Sequence, residues 1–201
     1  MDNRFIDVIL SLRTVRNFKT EQIEDEKLSL ILKAATSAPS SGNTQPWEFI
    51  VVKNIQIKKK IKEVIASAWR NHVLKRLKEI DDKTRKVYDD ATQLVDNSEN
   101  VPVIILACLD LRKASKTEEA KFASIYPAVQ NLLLAAHSIG LGTCLTTHGC
   151  TPTRGEAEVK EILGIPEHIK ISGLIFVGYP AKKLGPPKRH ELSTVVHMDG
   201  W

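Results

Sequence analysis

The sequence predicts a layered α+β or α/β domain, with the sheet type left open by pattern alone. Two observations carry this. Apolar runs of strand character at 48–53, 101–109 and 170–178 stand far apart in the chain, and long stretches of helical periodicity fill the intervals between them. At 201 residues the chain can also bury one sizeable core, so a single domain over 1–201 is expected.

The elements follow in order. A first helix is expected over about 3–12, where Phe5, Ile6, Ile9 and Leu10 share a face, and a second over about 25–37, burying Leu28, Ile31, Leu32 and Ala35. After a polar loop comes the strand at 48–53, then a long charged helix over about 55–80. Residues 81–100 are strongly polar with scattered apolar positions and read as a peripheral helical segment, the place for a mobile lid. The strand at 101–109 leads to a helix over about 118–139 in which Val129, Leu132, Leu133, Ala135 and Ala136 make more than one side apolar; such a helix must be buried in the core or at an interface. Gly140 and Gly142 end it, and Thr151 with Pro152 opens another helix to about Leu163, ahead of the last core strand. The tail 181–201, with Pro186, Pro187 and the apolar pair Val195-Val196, is long for a dangling terminus and is expected to wrap something.

Two motifs carry chemistry. Ala38-Pro39-Ser40-Ser41-Gly42-Asn43-Thr44-Gln45-Pro46-Trp47 crowds small donors and acceptors into one turn whose direction is set by prolines and in which Gly42 permits a left-handed or close approach. Taken alone it also fits an Asx or serine-capped turn. About thirty residues earlier, Ser11-Leu12-Arg13-Thr14-Val15-Arg16-Asn17-Phe18 presents two guanidinium groups and a hydroxyl, a cradle for an anion that equally suits a solvated basic helix end.

Composition bounds the rest. Hydrophobic content of 42% and charged content of 26% describe an ordinary globular chain, no apolar run approaches the ~20 residues needed to span a bilayer, and Met1-Asp2-Asn3-Arg4-Phe5 lacks the order of a signal peptide, so no membrane and a cytoplasmic location are expected. A net charge of +5 favours anionic partners. The cations from Lys58 to Lys78 read as a solvated helix face, because no aromatic module interleaves with them, and nucleic-acid binding is kept only as an outlying alternative. Cys108, Cys144 and Cys150 lack Cys-x-x-Cys or zinc-like spacing, so no metal is expected; Cys108 reads as a core residue, and a thiol mechanism is set aside. Gly140-x-Gly142 lacks the third glycine and follows a helix, which removes a dinucleotide-binding fingerprint.

Together the two motifs resemble the nitroreductase family of FMN-dependent oxidoreductases, whose N-terminal signature runs Arg-Arg-Ser-x-Arg-x-Phe and then Ala-Pro-Ser-x-x-Asn-x-Gln-Pro-Trp. The resemblance continues through the stretch Pro127 to Ala136, Gly140-Leu141-Gly142-Thr143-Cys144, Val177-Gly178-Tyr179-Pro180 and Pro187-Lys188-Arg189. Leu12 departs from it, standing where many members carry the first arginine.

That resemblance implies an α+β fold with a mostly antiparallel central sheet surrounded by helices, an intertwined homodimer whose C-terminal tail crosses to the partner, and FMN held between subunits. It assigns Arg13 and Thr14 to the phosphate or ribityl chain, Arg16 to the N1 and O2 edge, and Lys188 and Arg189 to the phosphate, with His190 as a substitute. Pro39, Ser40, Ser41 and Asn43 would come from the other subunit, with Gln45 as a further candidate. The loop from Leu145 to Gly149, with Thr146 and Thr147, would present backbone groups to the ring, and its His148 is a candidate for polarising substrate or else an exposed loop histidine. The implied chemistry resides at flavin N5, with NADH or NADPH as a transient donor and a nitroaromatic, quinone or related small-molecule acceptor in a ping-pong cycle. Within the same fold the alternatives are a deazaflavin carrier or a dedicated metabolite that is reduced, dehalogenated or dehydrogenated.

Overall fold

The computed structural model describes residues 4–73 and 81–201. Asn3 of the expected first helix, and Lys75, Arg76 and Lys78 at the end of the expected long charged helix, lie outside the described residues.

Strands β1 (Trp47–Val52), β2 (Val103–Asp110), β3 (Gly142–Thr146) and β4 (Ile169–Gly178) pair antiparallel in the order β1-β2-β4-β3. Every residue of β2 is buried, so both faces of the sheet are covered and the strand reads as a continuous apolar run. On one face Ile105, Leu109, Ile175 and Val177 pack against helices α2 (Asp25–Thr36) and α5 (Glu118–Ser138). On the other, Ile104, Leu106, Cys108 and Phe176 pack against α3 (Ile55–His72), α4 (Asp82–Asp96) and α6 (Glu156–Leu163). The fold is therefore α+β, with an antiparallel sheet between helices.

Local chemistry explains the element ends. The side chain of Asn54 accepts hydrogen bonds from the backbone N–H groups of Gln56 and Ile57, and Thr117 accepts one from Ala120, so both long helices start on capping residues. Helix α5 buries Ile125, Ala128, Val129, Leu132 and Ala136, and its remaining side is only half covered. The short helix α1 (Arg4–Ser11) behaves differently: none of its residues is buried, and its apolar face is exposed.

Three sequence expectations are corrected. Gly142 does not end a helix but opens β3, an edge strand whose apolar character comes from β4 on one side and from Val15 on the other, neighbours that are remote in sequence. The helix expected from Thr151 begins instead as a turn of 3-10 helix at Pro152–Arg154, and Gly155 at φ 92° interrupts it before α6, because a Cβ there would lie 2.3 Å from Cγ1 of Val64. Lys58 is not on a solvated face: it is buried, and its ammonium donates to the carbonyls of Val101 and Pro102 at 2.6 and 3.3 Å, satisfying acceptors that would otherwise be stranded under α3. Burial pushes the Lys58 pKa below its ordinary value.

Candidate functional site

The segment 13–19 acts as a seam between β3 and the C-terminal tail. On one side the Val15 N–H donates to Thr143 O at 2.8 Å; on the other, Lys19 N–H donates to Tyr179 O and Ala181 N–H to Asn17 O, at 2.8 and 2.9 Å, with an isolated bridge between Phe18 and Pro180. Backbone bonds on both edges hold the loop extended, so that side chains of Arg13, Thr14 and Arg16 are presented to a cavity of about 610 Å³.

Its walls come from five parts of the chain. Leu12 and the three loop residues form one side, Gln130 and Leu133 of α5 and Thr143 and Leu145 of β3 form the floor, and Val87 of α4 closes one edge. The tail supplies Lys188 and Arg189. The structure thus brings five of the sequence-predicted residues, Arg13, Thr14, Arg16, Lys188 and Arg189, to one place. Among the described residues lining this cavity there are four cationic side chains and no carboxylate. Asp90 lines an adjoining cavity with Arg13 and Arg16, but on this wall like charges repel, and the arrangement gains by taking up an anion.

Arg13 has a second engagement. Its Nη1 donates to Gly185 O at 2.7 Å and lies 3.4 Å from Pro186 O, so this guanidinium is already bound to the tail.

The loop Pro39 to Gln45 lies elsewhere. Ser41 N–H donates to Oγ of Ser124 at 3.1 Å, which seats the loop on the N-terminal half of α5, whereas the cavity uses Gln130 and Leu133 farther along that helix. The loop is internally built: Gln45 N–H donates to Ser40 Oγ at 3.0 Å and Gln45 Nε2 to Asn43 Oδ1 at 3.1 Å. Gly42, Asn43 and Gln45 have φ of 60°, 52° and 46°, a left-handed geometry that glycine and asparagine tolerate and glutamine does not adopt readily. Pro39, Ser41, Asn43 and Gln45 are exposed, Ser40 partly so, and none of them lines the cavity of their own chain.

Nor do the residues following Leu145 point into it. Leu145 and Thr146 belong to β3 rather than to a loop, and only Leu145 lines the cavity. Thr146 Oγ1 accepts from His148 N–H at 3.2 Å and lies 3.3 Å from His148 Nδ1; Thr147 is exposed. His148 is half-buried on the opposite face of the sheet, edge-on to Trp69 with ring centroids 5.0 Å apart and its Nε2 3.4 Å from Arg154 Nη1. It is neither the exposed loop histidine nor a residue lining the cation-rich cavity. Burial, and then the positive charges of Arg154 and His72, lower its pKa. His190 is exposed in the tail.

The thiols are equally remote from chemistry. Cys108, Cys144 and Cys150 are buried and unpaired. Desolvation pushes Cys108 up to about 12 and Cys144 up to about 11, and raises Cys150 as well. Among the described residues no group of histidine, cysteine and carboxylate side chains could hold a metal ion, and no helix is long and apolar enough to cross a membrane. Sequence reasoning missed Gln130, Leu133, Thr143 and Val87 as lining residues, whereas Leu145 was expected near the ring and does line the cavity. The polar pair Gln130-Asn131 inside the otherwise apolar run 128–136 was the available signal.

A cation-lined cavity beside an antiparallel sheet, with a second polar loop on the same helix, defines an α+β domain whose site is suited to an anion. The chain belongs to the nitroreductase family, whose family model matches residues 9–179. It is 30% identical over 176 residues to a protein from Archaeoglobus fulgidus provisionally named NADH dehydrogenase/NAD(P)H nitroreductase, covering 87% of this chain and 84% of that one. It is 29% identical over 204 residues to iodotyrosine deiodinase 1 of Mus musculus, covering 96% of this chain and 68% of the other. Among solved structures, oxidised iodotyrosine deiodinase bound to FMN and 3-iodo-L-tyrosine superposes with a TM-score of 0.79 at 25% identity, covering 98% of this chain and 100% of that one.

Proposed function

We propose that this chain binds FMN noncovalently and works as an NAD(P)H-dependent oxidoreductase. The observation that carries the reading is the cavity of about 610 Å³ with Arg13, Arg16, Lys188 and Arg189 on its wall and no carboxylate among its described lining residues. A volume within the ~300–1,000 Å³ of ordinary ligand pockets suits a flavin mononucleotide, and the cations suit its phosphate. Leu12, Leu133 and Leu145 offer apolar surface for a ring face, while Thr14, Gln130 and Thr143 offer hydrogen bonds.

Bound there, FMN supplies hydride transfer at its N5 atom. The protein's part is to bind and orient. Lys188, Arg189 and Thr14 hold the phosphate and ribityl end, and Arg16 places positive charge where negative charge develops on the ring. The cavity is open enough for a nicotinamide donor and an acceptor to enter in turn, so turnover is ping-pong. Helix α4, which reaches the cavity through Val87, is the lid of this arrangement.

The site is completed by a second copy. The loop Pro39 to Asn43 is preorganised, exposed and separated along α5 from its own chain's cavity, and the apolar face of α1 beside that cavity is uncovered. In a homodimer with the tails crossing, each loop serves the flavin of the other subunit.

The absorption spectrum of the purified protein tests the reading. A yellow protein that releases about one FMN per chain on denaturation supports it, since the cavity has room for one such ligand; a colourless protein that FMN cannot reconstitute ends it. The named relatives favour a second reading for the acceptor, reductive dehalogenation of an iodinated aromatic amino acid. Assay of the flavin-loaded protein with nitroaromatics and quinones under NAD(P)H, against 3-iodo-L-tyrosine under dithionite, separates the two.

A further inference from the structure

The geometry points to Arg13 as a positioning residue that tethers the C-terminal strap, and through the strap sets Lys188 and Arg189. The inference deepens the FMN reading and rests on it for its functional consequence, but the tether itself stands on contacts within this chain. Arg13 Nη1 donates to Gly185 O at 2.7 Å, with Pro186 O at 3.4 Å. Upstream the strap is zipped to the same loop by the Lys19 to Tyr179 and Asn17 to Ala181 backbone bonds. Between Ala181 and Lys188 the Arg13 contacts are the only hydrogen bonds that join the strap to another part of the chain among the described residues.

Two consecutive prolines, Pro186 and Pro187, follow immediately and lack an N–H, so this stretch cannot be secured by donating to the body of the protein. It can only accept, and the guanidinium is the donor that reaches it. The rigid Pro186-Pro187 pair then carries the fixed point at Gly185 forward to Lys188 and Arg189 on the cavity wall. After Arg189 the remaining residues are exposed, and among the described residues their hydrogen bonds are only to one another. With Nη1 committed to the two carbonyls, only Nη2 and Nε of this guanidinium remain to meet an anion.

Removing Arg13 should therefore weaken flavin binding chiefly by letting Lys188 and Arg189 leave. The test is a double-mutant cycle read by FMN titration of the apoprotein. In the full chain Arg13→Ala is expected to lower affinity by about tenfold or more, whereas in a Lys188→Ala/Arg189→Ala background the same change should cost no more than about twofold, the ordinary tolerance of additivity. An equal loss in both backgrounds would overturn the inference and put the guanidinium on the phosphate. A second measurement needs no flavin. Trypsin should cut after Lys188 and Arg189 faster in Arg13→Ala than in the unaltered protein, with both kept flavin-free, and equal rates would show that no tether exists. If the unaltered protein binds no FMN, the function reading fails while the proteolysis still decides the tether.

Discussion

The buried thiols and His148 test how much of the chemistry rests on side chains. Each lies on the face of the sheet away from the cation-lined cavity, with the thiols held protonated by desolvation. Cys144→Ser, Cys150→Ser and His148→Ala are accordingly expected to leave NAD(P)H-driven flavin bleaching within about tenfold of the unaltered rate, ~1.4 kcal/mol on the barrier. Stopped-flow absorbance checks this, and a loss of about a thousandfold, ~4 kcal/mol, in a variant that retains FMN would reassign the chemistry to that side chain. A second residue-scale prediction concerns acid. Glu24, at the start of α2, accepts from the Tyr179 hydroxyl at 2.6 Å and from Lys27 at 3.1 Å, and these bonds lower its pKa from 4.5 to about 2. A depressed carboxylate contributes stability that is complete above pH 4.5 and disappears as pH falls towards 2. The pair is at the surface, so the effect is small. Urea midpoints measured from pH 5 down to 2 should fall less steeply for Glu24→Gln than for the unaltered protein, and parallel curves would mean the contact is not made in solution.

At the scale of elements, helices α1, α2, α3 and α5 and strands β1, β2 and β4 were legible because each carries its own apolar period or run. Edge strand β3 was not, since Gly-Thr-Cys-Leu-Thr is short and its partners are β4 and the 13–16 loop, which no local pattern encodes. The cations of the site were legible as residue types, and Arg13 as a member of the set. Its bond to Gly185 was not, because 172 positions separate the two. The β3 contact yields a prediction of its own. A Cβ on Gly142 would lie 2.6 Å from Cγ2 and 2.9 Å from Cβ of buried Val15, so the strand and the cation loop can approach only if this residue has no side chain. Gly142→Ala should destabilise the protein by about 1–3 kcal/mol through overpacking and weaken flavin binding by pushing Arg13–Arg16 off the strand. Val15→Ala removes the γ carbons from the clash, so the double variant should regain part of both losses, a coupling of about 0.5–3 kcal/mol. Strictly additive urea and FMN titrations would sever the link between β3 and the loop.

For the whole molecule, the uncovered surfaces require an explanation. Phe5 and Leu10 on α1 are 68% and 66% exposed, and Leu192, Val195, Met198 and Trp201 of the tail are at least as open as Val195 at 60%. Scattered exposed apolar residues are ordinary, but here they gather on one helix beside the candidate site and along the end of one strap. A second copy covers them in the proposed dimer, and each large apolar side chain taken from water then contributes about 1.5–3 kcal/mol before the costs of association. Phe5 and Leu10 do not line the cavity, whereas Ile9 and Leu12 do, so Phe5 and Leu10 can be altered without touching the ligand directly. Phe5→Glu with Leu10→Glu would place two desolvated charges in the contact, which costs several kcal/mol. The expected outcome by analytical ultracentrifugation is a shift from dimer to monomer, accompanied by loss of flavin, because the loop Pro39 to Asn43 can no longer be offered across the interface. A folded monomer that keeps FMN at unaltered affinity would show that one chain makes the whole site. A dimer unaffected by both charges would move the interface away from α1, and the tail with its Leu192 and Trp201 would then have to be tested as the contact in its place.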